Sequence, residues 1–109
     1  MERRKQIRAL ILDAISDGYE DFDAILERVL ERASAGEMLS APDPAKIFSV
    51  LAMAVADGYA KACRFESDHW LEVREDLRFD SLDDIWFCRT PEGARLPVAC
   101  AVQQSQDGA

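Results

Sequence analysis

The sequence predicts a mostly α-helical domain, in which three helices precede a small antiparallel hairpin of two or three β-strands. A repeated phrase supports this prediction: Asp-Gly-Tyr occurs at 17–19 and again at 57–59, each time after an apolar run with helical spacing. Glycine often ends a helix, because it adopts the left-handed conformation without a Cβ clash. A second helical pattern follows the first phrase, whereas alternation typical of a strand follows the second.

The first two helices are predicted over Arg4–Ser16 and Asp21–Ala33, because both segments carry an apolar stripe at helical spacing. The first stripe comprises Ile7, Leu10, Ile11, Ala14 and Ile15, and the second comprises Phe22, Ile25, Leu26, Val29 and Leu30. Asp21 has the side chain of a favourable N-cap, and Ala35-Gly36 is expected to stop the second helix.

The third helix is predicted over Pro44–Asp57. Asp43 supplies an N-cap, and the proline that follows suits the first helical position. The residues expected to face the core are Ile47, Phe48, Leu51, Ala54 and Val55. The outer face is expected to present Lys46, Ser49, Val50 and Met53.

Two strands are predicted after the helices, over 59–66 and 85–89. The first alternates without revealing which face is buried, and the second is aromatic and apolar. Thr90-Pro91-Glu92-Gly93 has the composition of a capped turn. We therefore expect one domain over 1–96 and a partly disordered C-terminal tail over 97–109.

Negative charge is concentrated in one part of the chain. The 109 residues carry a formal net charge of −8. Residues 66–84 contain eight acidic residues and two arginines, a net of −6. Such a segment repels phosphate and disfavours nucleic-acid binding near it. Trp70, Phe79 and several aliphatic residues interrupt the acidic run, so it is not simply a disordered tract.

The remaining sequence features favour a cytoplasmic protein that is not an enzyme. The three cysteines are widely spaced, which fits reduced thiols better than a disulfide framework. No apolar run is long enough to span a bilayer, which takes roughly 20 residues. The sequence has no Gly-rich phosphate loop, G-x-S-x-G or HExxH motif, and no paired Cys or His ligands. We therefore predict no catalytic residues, no cofactor and no metal site.

The two Asp-Gly-Tyr junctions, the helix Pro44–Asp57 and the closing phrase Trp-Phe-Cys-Arg-Thr-Pro-Glu-Gly-Ala-Arg at 86–95 resemble the winged helix-turn-helix superfamily. The style is that of the PadR-like and MarR-like bacterial regulators, and the resemblance covers roughly residues 5–96. It implies a winged-helix fold. It also implies that the third helix enters the major groove of DNA and that the wing contacts the adjacent backbone or minor groove.

Two functions follow from these observations. The first is a regulatory or adaptor module, expected to be a homodimer or to bind another protein. Its contact surface would be formed by Lys46, Ser49, Val50, Met53, Trp70 and Phe79. The acidic segment would then be a docking site for a basic partner, a DNA-mimicking wing or a solvated loop.

The alternative is a DNA-binding transcriptional regulator. Lys46 and Ser49 would lie near the bases, although base readout usually uses more Arg, Lys, Asn or Gln side chains than this helix offers. The phosphate contacts would come from Arg3, Arg4, Lys5 and Arg8. The same basic cluster would otherwise be a solvated N-terminus.

Overall fold

Three helices pack on one face of a four-stranded antiparallel sheet in the computed structural model, which describes residues 3–37 and 40–96. In chain order the elements are α1 Arg3–Ala14, β1 Glu20–Asp21, α2 Phe22–Arg32, α3 Pro44–Ala56, β2 Ala60–Glu66, β3 His69–Glu72, β4 Trp86–Arg89 and α4 Pro91–Arg95. An irregular wide turn, Ala33–Glu37, follows α2. Among the described residues, no helix combines the length and the apolar character needed to cross a bilayer.

The sheet has the strand order β1-β4-β2-β3. The central pair is β2 with β4, in which Ala62 lies opposite Phe87 and Cys63 lies opposite Trp86. Because side chains alternate across a strand, these two pairs face opposite sides of the sheet. Ala62 and Phe87 are fully buried beneath the helices, so this side forms the floor of the core.

The core joins all three long helices to the sheet. The fully buried side chains of α1, α2 and α3 lie at helical spacing, as the apolar stripes predict. The largest fully buried side chains of the whole core are Phe87 of β4 and Ile7, Ile11, Leu12, Ile15, Ile25, Ile47 and Leu51. Burying an aliphatic or aromatic side chain of this size contributes about 1.5–3 kcal/mol. The three long helices precede β2, β3 and β4 as predicted, but β1 lies between α1 and α2, and the short helix α4 follows β4.

The predicted strand count of two or three is wrong, because the sheet has four strands. The strand β1 has only two residues, and it pairs with β4 directly before α2 begins. The strand β3 lies inside the acidic segment, and three of its four residues are exposed, so it shows no apolar alternation. The turn before it is Ser67-Asp68, where both residues have a positive φ. Asn-Gly is the usual signal for such a hairpin turn.

The predicted helix ends agree with the observed ones to within two residues. Asp21 caps α2 by accepting a hydrogen bond from the Ala24 backbone N–H at 2.9 Å. Asp43 caps α3 in the same way through the Lys46 backbone N–H at 2.8 Å. Both Asp-Gly-Tyr phrases follow a helix end, at Ala14 and Ala56.

The predicted capped turn after β4 is the start of the short helix α4. The Thr90 hydroxyl connects α4 to the turn after α3. It donates to the Gly58 carbonyl at 2.6 Å and accepts from the Gly93 N–H at 3.0 Å. The Thr90 backbone N–H also donates to the Tyr59 carbonyl at 3.1 Å. The expected tail over 97–109 lies outside the described residues.

Gly93 is the position where we expect a single methyl group to be most damaging. A Cβ there would lie 2.0 Å from the Tyr59 carbonyl oxygen, a backbone atom that cannot move freely. We predict that Gly93→Ala lowers the free energy of unfolding by about 3 kcal/mol, the upper range for overpacking. Urea denaturation followed by circular dichroism measures this loss.

Gly36→Ala is the matched control, because Gly36 has a φ of 97° and open space around its Cβ position. It should lower the free energy of unfolding by only about 1–2 kcal/mol, the cost of left-handed backbone in a residue with a Cβ. Equal losses for the two variants would contradict the close approach of Gly93 to Tyr59.

Candidate functional site

The predicted contact face of α3 is only partly exposed. Ser49 is exposed, Met53 is 40% exposed and Lys46 is half-buried. The expectation for Val50 is wrong, because its side chain is 2% exposed and belongs to the core. The physical reason is that α1 packs against α3 on this side, so the apolar stripe of α3 is wider than the sequence pattern suggested.

The acidic segment 66–84 is anchored to the core. Val73 and Leu82 within the segment and Ile85 directly after it are buried, and the Val73 N–H donates to the Ala62 carbonyl at 2.7 Å. These contacts hold the loop between β3 and β4 against the body of the protein. Its two aromatic residues, Trp70 and Phe79, belong to two separate ring clusters.

The first cluster lies on the face of the sheet opposite the helices. Tyr19 stacks on Trp70 with ring centroids 3.8 Å apart and planes 9° from parallel. Phe65 and Trp86 approach Trp70 at 5.0 Å and 5.7 Å. Phe65 is 51% exposed and Tyr19 is 36% exposed. The sequence did not indicate this cluster, because Tyr19 reaches it from the junction before β1.

Two thiols lie beneath this cluster, on the neighbouring strands β2 and β4. Burial raises the pKa of the Cys63 thiol, and the adjacent Cys88 raises it further. Burial also raises the pKa of Cys88, although Lys61 and hydrogen bonds to Tyr19 and Cys63 act against it. The pKa of Tyr19 is raised by burial and by the two thiols. Protonated thiols are poor nucleophiles, so this arrangement does not suit thiol catalysis.

The second cluster consists of Phe22, Phe48 and Phe79. Phe22 and Phe79 line a pocket that we call the acidic pocket. It encloses about 340 Å³ between the start of α2, the start of α3 and the loop before β4. Four of its lining residues are aspartates and five are apolar: Asp21, Asp23, Asp80, Asp83, Phe22, Leu26, Pro44, Phe79 and Leu82. Among the described residues that line it, none is cationic.

Phe79 gives the acidic pocket an exposed aromatic surface. Its ring packs edge-on against Phe22 with centroids 5.9 Å apart, and at 5.4 Å against Phe48. Phe79 nevertheless keeps 48% of its surface exposed. The packing fixes the ring in place, and the exposed part can contact a ligand. The sequence predicts Phe79 as a contact residue, but it does not reveal that Asp21 and Asp23 line the same pocket.

The carboxylates of the acidic pocket are spread around its wall. Within residues 3–37 and 40–96, no three His, Cys, Asp or Glu side chains are grouped as a metal ion requires. Asp21 already accepts the N-cap hydrogen bond of α2, and Asp80 lies 3.6 Å from the guanidinium of Arg78. The pocket therefore fits an organic cation with an apolar part better than a compact metal ion.

A second cavity, which we call the basic cavity, lies between α1 and α3. It encloses about 80 Å³. Its lining combines three cations with an apolar floor and one acid: Arg4, Lys5, Arg8, Val50, Met53, Ala54 and Asp57. The structure thus brings three of the predicted phosphate-contact residues next to two of the predicted α3 contact residues. Arg3 instead donates to the Ser40 carbonyl at 3.4 Å.

A third cavity of about 450 Å³ lies between the C-terminal half of α3 and residues 72–77. Its charged lining contains both signs, since Arg74 binds Glu72 at 3.1 Å. Its three carboxylates outnumber the one arginine, but Glu72 pairs with Arg74 and Glu75 pairs with Arg64, so two of them already have a cationic partner. The two cavities of opposite charge are the better candidates for binding.

No family model, curated protein or solved structure matches the chain. The resemblance to winged helix-turn-helix regulators stays a prediction. The acidic pocket and the basic cavity are the features of the fold that bear on function.

The raised thiol pKa values predict how stability depends on pH. The folded protein holds the Cys63 and Cys88 protons more tightly than the unfolded chain, whose thiols have the ordinary pKa of 9.0. Their contribution to stability is therefore complete below about pH 9 and is lost as the pH rises through the folded pKa values. Urea denaturation at a series of pH values, with reductant present, measures the decline.

The double variant Cys63→Ser/Cys88→Ser is the control, because serine does not titrate in this range. Its free energy of unfolding should fall less steeply between about pH 8 and about pH 10 than that of the unmodified chain. The same slope in both proteins would show that the two thiols are not shielded as the structure places them.

Proposed function

We propose that this protein is a non-enzymatic docking module, in which the acidic pocket binds a basic segment of a partner protein. The observation that carries this proposal is the lining of that pocket: four aspartates around five apolar side chains. A lysine or arginine side chain has the matching structure, an apolar stem that ends in a cation.

The rings of the pocket support a cationic occupant. Phe79 is held against Phe22 and Phe48 while about half of its surface remains exposed. A guanidinium or ammonium group within about 6 Å of an aromatic face gains an attraction of about 0.5–1 kcal/mol at exposed sites. Asp80 and Asp83 stand beside the same ring in the pocket lining. Aromatic and carboxylate contacts to one cation are thus available together.

Long-range charge supports the same partner. The segment 66–84 carries a net charge of −6 and supplies Asp80 and Asp83 to the pocket. A concentration of one sign of charge accelerates encounter with a partner of opposite sign and disfavours partners of like sign. A basic peptide is attracted before contact, and the pocket then selects one of its side chains.

The DNA-binding alternative is less well supported. The exposed part of α3 offers Ser49 and Met53, with Lys46 half-buried, which is little for reading bases. The acidic segment would also repel the phosphate backbone. One observation favours this alternative: the basic cavity places three cations of α1 beside α3.

Loss of two pocket charges should weaken binding of a basic peptide. The probe is a fluorescein-labelled peptide of alternating Arg-Leu pairs, and fluorescence anisotropy measures its Kd. We expect Asp80→Asn/Asp83→Asn to raise the Kd by about 5- to 10-fold, because both residues line the pocket and supply half of its carboxylates. The same peptide with Glu in place of Arg should not bind.

Glu27→Gln/Glu31→Gln is the matched control, because it also removes two negative charges from exposed side chains, but on α2 outside the pocket. It should raise the Kd by less than about 2-fold, the effect of general charge alone. If both double variants weaken the peptide equally, the binding is non-specific and the docking proposal fails.

The aromatic wall yields a separate prediction. We expect Phe79→Leu to raise the Kd of the same peptide by about 3- to 5-fold, because leucine keeps the apolar packing and removes the ring face. Thermal denaturation monitors folding of this variant. An unchanged Kd in a folded Phe79→Leu protein would remove Phe79 from the binding surface.

A further inference from the structure

We infer that the basic cavity between α1 and α3 binds the phosphate group of a small phosphorylated ligand. This site is independent of protein docking at the acidic pocket. It lies beside a different end of α3, since Pro44 lines the acidic pocket and Met53 lines the basic cavity. Nine residues separate them, which is roughly 13 Å along a helix.

Within the described residues, five of the thirteen lysine and arginine side chains of the sequence form ion pairs, and the three cations of the basic cavity are not among them. Arg32, Arg64, Arg74, Arg78 and Arg95 all form ion pairs with nearby carboxylates. In the part of the chain that the structure describes, Arg4, Lys5 and Arg8 form no ion pair. A protein of net charge −8 thus keeps three unpaired cations around one cavity.

The position of these cations near the N-terminal end of α1 makes binding of an anion more favourable. Arg3, Arg4 and Lys5 occupy the first turn of α1, which contains no acidic residue. The N-terminal end of a helix carries a partial positive charge, so cations there are unfavourable and anions are stabilised. A phosphate between these side chains would relieve both the mutual repulsion of the cations and their repulsion by the helix dipole.

Arg8 is positioned in advance for such a ligand. Its guanidinium lies over the Tyr59 ring, 5.2 Å from the ring centroid, and the side chain is half-buried. A guanidinium held on an aromatic face still presents its N–H groups outward and can bind a phosphate through two parallel hydrogen bonds. Arg4 and Lys5 are exposed and can close on the same anion from the neighbouring turn of α1.

The size and floor of the cavity limit the class of ligand. A volume of about 80 Å³ accommodates one compact group, such as a tetrahedral phosphate. Val50, Met53 and Ala54 supply an apolar floor, and Met53 is 40% exposed. A phosphate monoester with a small apolar group would contact the cations and this floor together. Asp57 provides the one opposing charge.

The test is a titration of the ¹⁵N-labelled protein with inorganic phosphate and with phenyl phosphate, at constant ionic strength. We expect amide chemical shifts to change in two groups of residues, 4–8 and 50–57. Phenyl phosphate should bind about 3-fold more tightly than inorganic phosphate because of the apolar floor. The Kd should be on the order of a millimolar, since two of the three cations are solvated.

Three variants test the location of the site. Arg4→Gln/Arg8→Gln should weaken phenyl phosphate binding at least about 5-fold, because it removes both guanidinium forks. Arg28→Gln on α2 is the control for loss of a cation outside the cavity, and it should change the Kd by less than about 1.5-fold. Arg4→Gln alone keeps the Arg8–Tyr59 contact, so it should weaken phenyl phosphate binding less than the double variant does.

Three results would overturn the inference. The first is equal chemical shift changes with chloride at the same ionic strength. The second is equal weakening by Arg28→Gln and by Arg4→Gln/Arg8→Gln. The third is binding of duplex DNA at the basic cavity with no response to either phosphate compound, which would support the DNA-binding alternative. None of these results bears on the acidic pocket, whose test uses a basic peptide.

Discussion

Burial of Val73 and Leu82 in the acidic segment, and of Ile85 directly after it, is the constraint on which both the sheet edge and the acidic pocket depend. Val73, Leu82 and Ile85 insert into the core, while the segment around them carries a net charge of −6. Burial of such side chains contributes about 1.5–3 kcal/mol each, which offsets the repulsion between neighbouring carboxylates. Without these anchors, Phe79 and its aspartates would not be held beside α2.

The same fold keeps opposite charges apart along α3. The N-terminal end of that helix faces the acidic pocket, and its C-terminal half borders the basic cavity. A chain with net charge −8 can attract an anion only where several cations converge locally, because the long-range field is repulsive. Because α3 holds the two cavities apart, the aspartates of the acidic pocket do not neutralise the cations of the basic cavity.

Periodicity and capping predict the three long helices, because those signals are local, whereas the residues of the short helix α4 are predicted only as a capped turn. Asp21, Asp43 and Thr90 all cap the helices they precede, as their side chains indicate. The sequence could not predict β1, whose two residues gain order only by pairing with β4. Nor could it place Val50, whose burial depends on how closely α1 approaches α3. The sequence predicts Phe79 as a contact candidate, but only tertiary packing brings it to one pocket with Asp21 and Asp23.

Thr90 has a consequence for how the end of the domain unfolds. Its single hydroxyl joins the Gly58 carbonyl, where α3 ends, to the Gly93 N–H inside α4. A five-residue helix has no independent stability in water, since helix nucleation is costly. The turn after α3 and the helix after β4 should therefore open together as one cooperative unit. Amide hydrogen exchange in 91–95 would then report on a junction more than thirty residues earlier in the chain.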